Sequence, residues 1–240
     1  MKRLVYLIAI LNLIACKKAS DRECWKFSGG LSTISYNINK NNILLYDDIN
    51  LVLINDSTNY IEIIGNENII KHIILDTSNN NLIMSNINSC KFLRKPNEVF
   101  VHYHYTKLEE INLFGYGQLL NSDTINHNIK INTNKAFSNI KLNINNDSTI
   151  IINELGSTDI IINGNSNYFY CFSSGMAPVL CKDFACSTMH ANSDGISDFH
   201  IKASNKLILE LQNNGNIYYY ESPNDSIFSI TGDGEIIKYY

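Results

Sequence analysis

Long apolar runs are almost missing from the 240-residue sequence. The one candidate, Leu4 to Ala15 broken only by Asn12, is about a dozen residues, against the roughly 20 that a helix needs to span a bilayer. Charge is sparse as well: 18% of residues are Asp, Glu, Lys or Arg, the formal net charge is -4, and beyond the N-terminus no long run has one sign. That balance argues against a nucleic-acid partner. No Cys-x-x-Cys or Cys/His spacing suggests zinc, so no metal is expected. Phosphate loops are absent too, because the Gly-x-Gly units open strands rather than helices, and no cofactor is expected.

What is abundant is isoleucine and asparagine. The first is a β-branched strand former and the second tolerates turn conformations, so together they point to many short strands. With 45% hydrophobic residues the chain has material for one large domain or two small ones, and disorder is unexpected.

At the N-terminus, Lys2 and Arg3 precede the short apolar run, which ends at Leu13-Ile14-Ala15-Cys16. A positive flank, a short apolar core and a small residue before a break are the parts of a secretory signal. The break looks like a lipobox, so residues 1–15 read as a lipoprotein signal and Cys16 as the lipidated first residue of the mature chain. Residues 16–23 are polar and read as a tether. Its charge resembles export tags that follow the lipidated Cys in some Gram-negative bacteria, which places the protein in the outer membrane with the leaflet left open. The expected partner at this end is the membrane, through the lipid.

Five cysteines remain: Cys24, Cys90, Cys171, Cys181 and Cys186. Outside the cytoplasm disulfides persist, and an odd number leaves at least one thiol unpaired. Whether Cys181 and Cys186 pair across a bend stays open.

A small-x-small-polar-apolar pentapeptide recurs through the second half. Its copies begin at Gly115, Ala136, Gly156, Gly175, Gly195, Asn213 and Gly232, spaced 18 to 21 residues apart. The third position is always small, as at Gly117, Gly215 and Gly234, and the fifth is always apolar, as at Leu119, Ile140, Ile160 and Phe199. Small residues permit a tight corner. Alternating apolar residues flank each corner, for example Ile160 with Ile162 after it and Leu207, Leu209 and Leu211 before another, which is strand periodicity. A period near 20 with two strands and two corners per coil describes a parallel β-solenoid, each coil burying its apolar face on its neighbours. Hairpins in an antiparallel meander are the alternative. Recurrence of the corners in phase favours the solenoid, since like residues then stack at about 4.8 Å.

Residues 24–106 are also strand-like, with turns rich in Asn, Asp, Ser and Gly, but the pentapeptide is not evident there. The body therefore divides into 24–106 and 107–240.

These features carry a family resemblance. The Gly-x-Gly-polar-Ile repeats, Gly65-Asn66-Glu67-Asn68-Ile69, Asn80-Asn81-Leu82-Ile83-Met84 leading to Cys90, and Ile217-Tyr218-Tyr219-Tyr220 before Gly232-Asp233-Gly234 resemble the auto-transporter adhesin, head GIN, family of bacterial lipoproteins. The resemblance implies an all-β, right-handed, single-stranded parallel β-helix in the cell envelope. It also implies a disulfide between Cys24 and Cys90, closing a loop of about 65 residues that would stabilise by a few kcal/mol. Peptide mapping without reductant that finds both thiols free rejects it.

Catalysis on such a scaffold needs acids converging on a groove. The fourth positions (Gln118, Asn139, Asp159, Pro178, Asp198, Asn216 and Glu235) form a row down one edge, yet no two neighbours in it are carboxylates. His102 and His104 share a strand face at a spacing able to hold metal, without a third ligand nearby in sequence. Tyr116, Tyr218, Tyr220, Tyr239 and Tyr240 offer stacking surfaces for sugars or a protein. The reading is a non-enzymatic, lipid-anchored envelope protein that adheres to a surface glycan or protein ligand. A polysaccharide-active enzyme and a purely structural envelope component are the alternatives.

Overall fold

The computed structural model describes residues 27–89 and 98–239. Cys16, Cys24, Cys90 and Tyr240 lie outside the described residues. In chain order the first strands are β1 (Leu31–Tyr36), β2 (Asn42–Leu45), β3 (Asn50–Asn55) and β4 (Tyr60–Asn66). A short helix α1 (Glu67–Ile70) leads to β5 (Ile73–Ser78), β6 (Asn81–Asn86), β7 (Phe100–Tyr105), β8 (Glu110–Leu113) and β9 (Tyr116–Asn121). Then follow β10 (Ile129–Gly156), β11 (Asp159–Ser173), β12 (Val179–Leu180), β13 (Phe184–Ser193), β14 (Phe199–Ile201), β15 (Lys206–Leu211), β16 (Ile217–Tyr219), β17 (Asp225–Ile230) and β18 (Ile236–Lys238).

These strands, 63% of the described residues, wind into a β-solenoid of about six turns with roughly 20 residues per turn. The pentapeptide sets the register: Asn139 pairs with Asp159, Ile160 with Val179, Val179 with Phe199, Phe199 with Ile217 and Ile217 with Ile236. The fifth-position side chains from Leu119 to Ile217 are all buried. Each such Ile, Leu or Phe stabilises by about 1.5–3 kcal/mol on burial. The opposite face is a second parallel ladder, in which Ile150, Tyr170, His190, Ile208 and Ile227 follow one another.

Two features differ from the two-sided coil expected. A third paired segment closes the coil: Ile144 lies beside Gly164 and Gly164 beside Phe184. Gly164 has φ +104°, and a Cβ there would sit 2.1 Å from the carbonyl oxygen of Ile144, so this bend depends on glycine. The aromatic and cysteine-rich coils are regular, with Phe169, Cys171, Cys181, Phe184 and Cys186 facing the core. Cys171, Cys181 and Cys186 are free thiols, and burial pushes Cys181 and Cys186 up to about 12. No Cys181–Cys186 bridge forms across that bend.

The coils also do not stack in chain order. β2 pairs with β6 on one side and β8 on the other, and β3 lies likewise between β7 and β9, all parallel. An early coil is thus clamped between two later ones, and the ladders run unbroken from the first half of the chain into the second. Beyond β7 the sheet turns antiparallel through β4 and then β1, and beyond β6 through β5. With Ile69 and Ile70 of α1 buried, these strands cap that end of the core.

Candidate functional site

At the corners the backbone of one coil presses on the next. A Cβ on Gly117 would lie 2.3 Å from the carbonyl oxygen of Ile49, and one on Gly156 2.2 Å from that of Ala136; their φ values are +120° and +90°. Gly115, Gly195, Gly215, Gly232 and Gly234 also abut backbone of the adjacent coil, while Gly175 meets the Asn153 side chain. Gly115 and Gly117 rest on Asp47 and Ile49. Asp47 to Leu51 is therefore a further copy of the corner, with Leu51 paired to Leu119. The pattern hid it because Asp47, at φ +62°, and Ile49 stand where small residues stand elsewhere.

At three places a fourth-position side chain holds the next coil by a hydrogen bond. The Gln118 amide donates to Asn50 Oδ1 at 3.1 Å, the Asn216 amide to Asp198 at 2.9 Å, and the Glu235 amide to Asn216 at 2.9 Å. These side chains bind the next coil's backbone. A second polar ladder faces inward just before the corners: Thr133 bonds Asn153, and Asn153 Nδ2 donates to Ser173 Oγ at 2.8 Å. Its signal was present in the sequence, as polar residues 20 apart, but lay outside the pentapeptide.

His102 and His104 do share the outer face of β7, with Tyr103 and Tyr105 buried opposite. The acidic neighbours come from β4 and from the end of β3. His104 Nδ1 lies 3.0 Å from Asp56 Oδ2, its Nε2 lies 3.7 Å from Glu62, and its ring stacks on Tyr60 at 3.8 Å. The His104 hydrogen bond, with the Ser57 amide second, holds the Asp56 carboxyl below the usual carboxylate range. Burial lowers His102, and the nearby Glu62 only partly opposes it. Glu62 was invisible as a partner because it is 40 residues away in sequence and enters through antiparallel pairing with His102. Among the described residues no group of three His, Cys, Asp or Glu is arranged to hold a metal ion.

The surface aromatics separate into two places. Tyr218 stacks on His200 at 4.9 Å, the Tyr220 hydroxyl meets His200 Nδ1 at 2.7 Å, and Tyr239 packs on both tyrosines. This cluster lies on the outer face of the last coils. Tyr116 instead stands on the corner, stacked on Phe137 at 5.8 Å, beside a second stack of Tyr46 on Phe114 at 4.9 Å. Leu155, Met176 and Ile196 extend the same corner over the following coils. Tyr116 is 60% exposed, Phe137 50% and Ile196 62%. The beginnings of successive coils are bonded amide to carbonyl, Phe137 to Gly115, Ser157 to Ala136 and Met176 to Gly156, so Tyr116, Phe137, Ser157 and Met176 stand in a column, with Leu155 two residues before the Ser157 rung. The result is a ridge of exposed apolar side chains along the corner, interrupted at Ser157, and such patches are uncommon on protein surfaces. The hollow beside it, lined by Leu45, Asp47, Leu113 and Tyr116, holds about one water, so contact there is with the ridge itself.

Solved structures share this architecture. A protein from Bacteroides fragilis described as a putative adhesin matches with a TM-score of 0.76 at 19% identity, over 88% of this chain and 97% of that one. A putative lipid binding protein from Parabacteroides distasonis matches at 0.59 and 16%, and a putative adhesin from Parabacteroides merdae at 0.56 and 17%, each over 88% of this chain and 98% of the other. No curated protein matches the sequence. A family model described as "Putative auto-transporter adhesin, head GIN domain" matches residues 41–223, which takes in the displaced early coil as well as most of the corner repeats. The solenoid built from those corners is the family's domain, and the chain belongs to the head GIN family.

Proposed function

We propose that this protein is a non-enzymatic adhesin of the cell envelope, lipid-anchored at Cys16 in the outer membrane, that holds a surface glycan along its corner ridge. The observation carrying this is the exposed Tyr116–Phe137 stack on the corner, with Met176 and Ile196 further along it beyond Ser157. Stacked aromatic faces on a rigid ladder suit the apolar faces of sugar rings. Membership of a family described as adhesins supports the reading, and so does the use of the fourth-position row for backbone bonding rather than as a groove of acids. The Cys24–Cys90 bridge belongs to the same proposal, as a tie between the tether and the body.

The test is a surface-glycan array probed with the full chain. Binding by the wild type, weakened at least about tenfold in Tyr116→Ser/Phe137→Ser with an unchanged circular dichroism spectrum, is expected. Silence on the array rejects the glycan ligand, and release of fragments from an acidic polysaccharide rejects the non-enzymatic reading. For the anchor, Cys16→Ala is expected to leave the protein soluble or unprocessed; continued membrane attachment overturns it.

The aliphatic half of the ridge, Leu155, Met176 and Ile196, favours a second reading, contact with acyl chains, in line with the description of the Parabacteroides distasonis structure. Binding to phosphatidylglycerol vesicles that survives Tyr116→Ser and is lost in Ile196→Ser would select it over the first.

A further inference from the structure

The short strands β12, β14 and β16 lie side by side on one face, and the residues that leave them form a row. Leu180 pairs with His200 and His200 with Tyr218. The Cys181 amide donates to the His200 carbonyl at 2.7 Å and the Tyr220 amide to the Ile201 carbonyl at 3.0 Å, so the same register runs past the strand ends. Lys182, Lys202 and Tyr220 thus follow one another on successive coils, about 4.8 Å apart, beside the row of Leu180, His200 and Tyr218. Cys181 and Ile201 are buried, and alternation turns the two lysines outward. Elsewhere Lys107, Lys130 and Lys206 are each ion-paired, to Glu109, Glu110 and Asp225. Among the described residues neither Lys182 nor Lys202 has such a pair, although Asp183, Asp198 and Glu221 are close in sequence to the row. Asp198 instead accepts the Asn216 amide at 2.9 Å. Lys141 is unpaired as well, but it stands between Leu120 and Ile161 rather than beside a cation.

Like charges at opposed strand positions repel, so two neighbouring ammonium groups without a counter-ion suit a ligand that brings the negative charge. The adjoining row supplies hydrogen-bonding groups. Burial holds His200 below its ordinary value, Asp198 opposes this in part and Lys182 adds to it, so the ring is neutral at pH 7. With the Tyr220 hydroxyl donating to Nδ1 at 2.7 Å, the imidazole proton sits on Nε2, a donor on the face that holds the lysines. We propose that this row binds a carboxylate-bearing saccharide, with the acid group between Lys182 and Lys202 and the sugar hydroxyls along His200, Tyr218 and Tyr220. A sugar ring joined to a carboxylate has both kinds of group in one unit, as the two rows do. A bare anion would use the lysines alone. This face is separate from the corner that carries Tyr116 and Phe137, so the row is a second contact, independent of the ridge.

Titration calorimetry of the full chain with a galacturonic acid oligomer is expected to give a dissociation constant below about 1 mM, weakening as salt rises. The methyl ester of the same oligomer keeps the rings and lacks the charge, and is expected to bind at least about tenfold more weakly. Lys182→Gln/Lys202→Gln is expected to weaken uronate binding by at least about the same factor. Its thermal midpoint is expected to be unchanged or raised, because the repulsion leaves with the lysines. Equal binding of the ester, uronate binding that survives both glutamines, or no uronate binding at about 1 mM each overturns the proposal. Poly-glutamate that binds as tightly as the uronate also overturns it, and assigns the row to an acidic peptide. Tyr116→Ser/Phe137→Ser leaves uronate binding intact, so failure of the ridge and failure of this row are read separately.

Discussion

Gly156 shows how much a single position carries. It combines a φ of +90° with backbone 2.2 Å from where a Cβ would stand, so a side chain is opposed twice, by its own conformation and by the next coil. Gly156→Val is expected to lower unfolding free energy by about 2 kcal/mol or more, while Gly30→Ala, with open space around it, changes little; urea titration of both compares them. Asn153 is a second such position. Its amide bridges Thr133 and Ser173 inside the core, and Asn153→Ala leaves both hydroxyls without that partner, at an expected loss of about 2–3 kcal/mol in the same measurement. Three histidines contribute to acid sensitivity. Burial holds His102, His127 and His200 below their ordinary 6.5, so the unfolded chain binds more protons than the folded one as pH falls past that value. Stability from these groups is complete above about pH 6.5 and is lost on the way down; calorimetry at pH 7.5 and 5 is expected to show the midpoint a few degrees lower in acid, and less so in His127→Gln.

At the scale of elements, the sequence was legible wherever neighbouring coils are also neighbours in the chain. From Tyr116 onward each corner finds its partner about 20 residues on, and the apolar fifth residues mark the ladder directly. Legibility failed where pairing is remote: Asn50 bonds the Gln118 amide across 68 residues, and no local periodicity reports that. The third side of the coil was missed for another reason. It rests on Gly164, which has no glycine counterpart in the neighbouring coils, where Ile144 and Phe184 take its place in the ladder. In the candidate site, the tyrosines could be singled out by type, but Tyr116 on the corner and Tyr218 with Tyr220 on a flat face are distinguished only by the winding of the chain. Leu155, Met176 and Ile196 carry no signal by residue type, and only the corner turns them outward.

For the molecule as a whole, the anchor and ridge proposals fit one geometry. Cys16 and Cys24 are eight residues apart, at most about 29 Å of extended chain, so a lipid on Cys16, as proposed, would keep the first strands close to the membrane. The corner ridge lies on coils that continue the same stack away from those strands, through β3, β9 and β10.

The clamped coil of β2 and β3 also has a kinetic meaning. A chain delivered N-terminus first exposes these two strands long before β8 and β9 exist, and neither neighbour that will enclose them is available at that time. Short-range coils from β10 to β15 close loops of about 20 residues, whereas the early coil must wait for contacts far longer in sequence, so winding is expected to begin in the middle and finish at the start. Pulse-labelled hydrogen exchange during refolding should therefore protect residues 139–173 before residues 42–55. During that interval the two strands remain unpaired and able to join the wrong partner, so the first half of the chain is the part most exposed to misfolding.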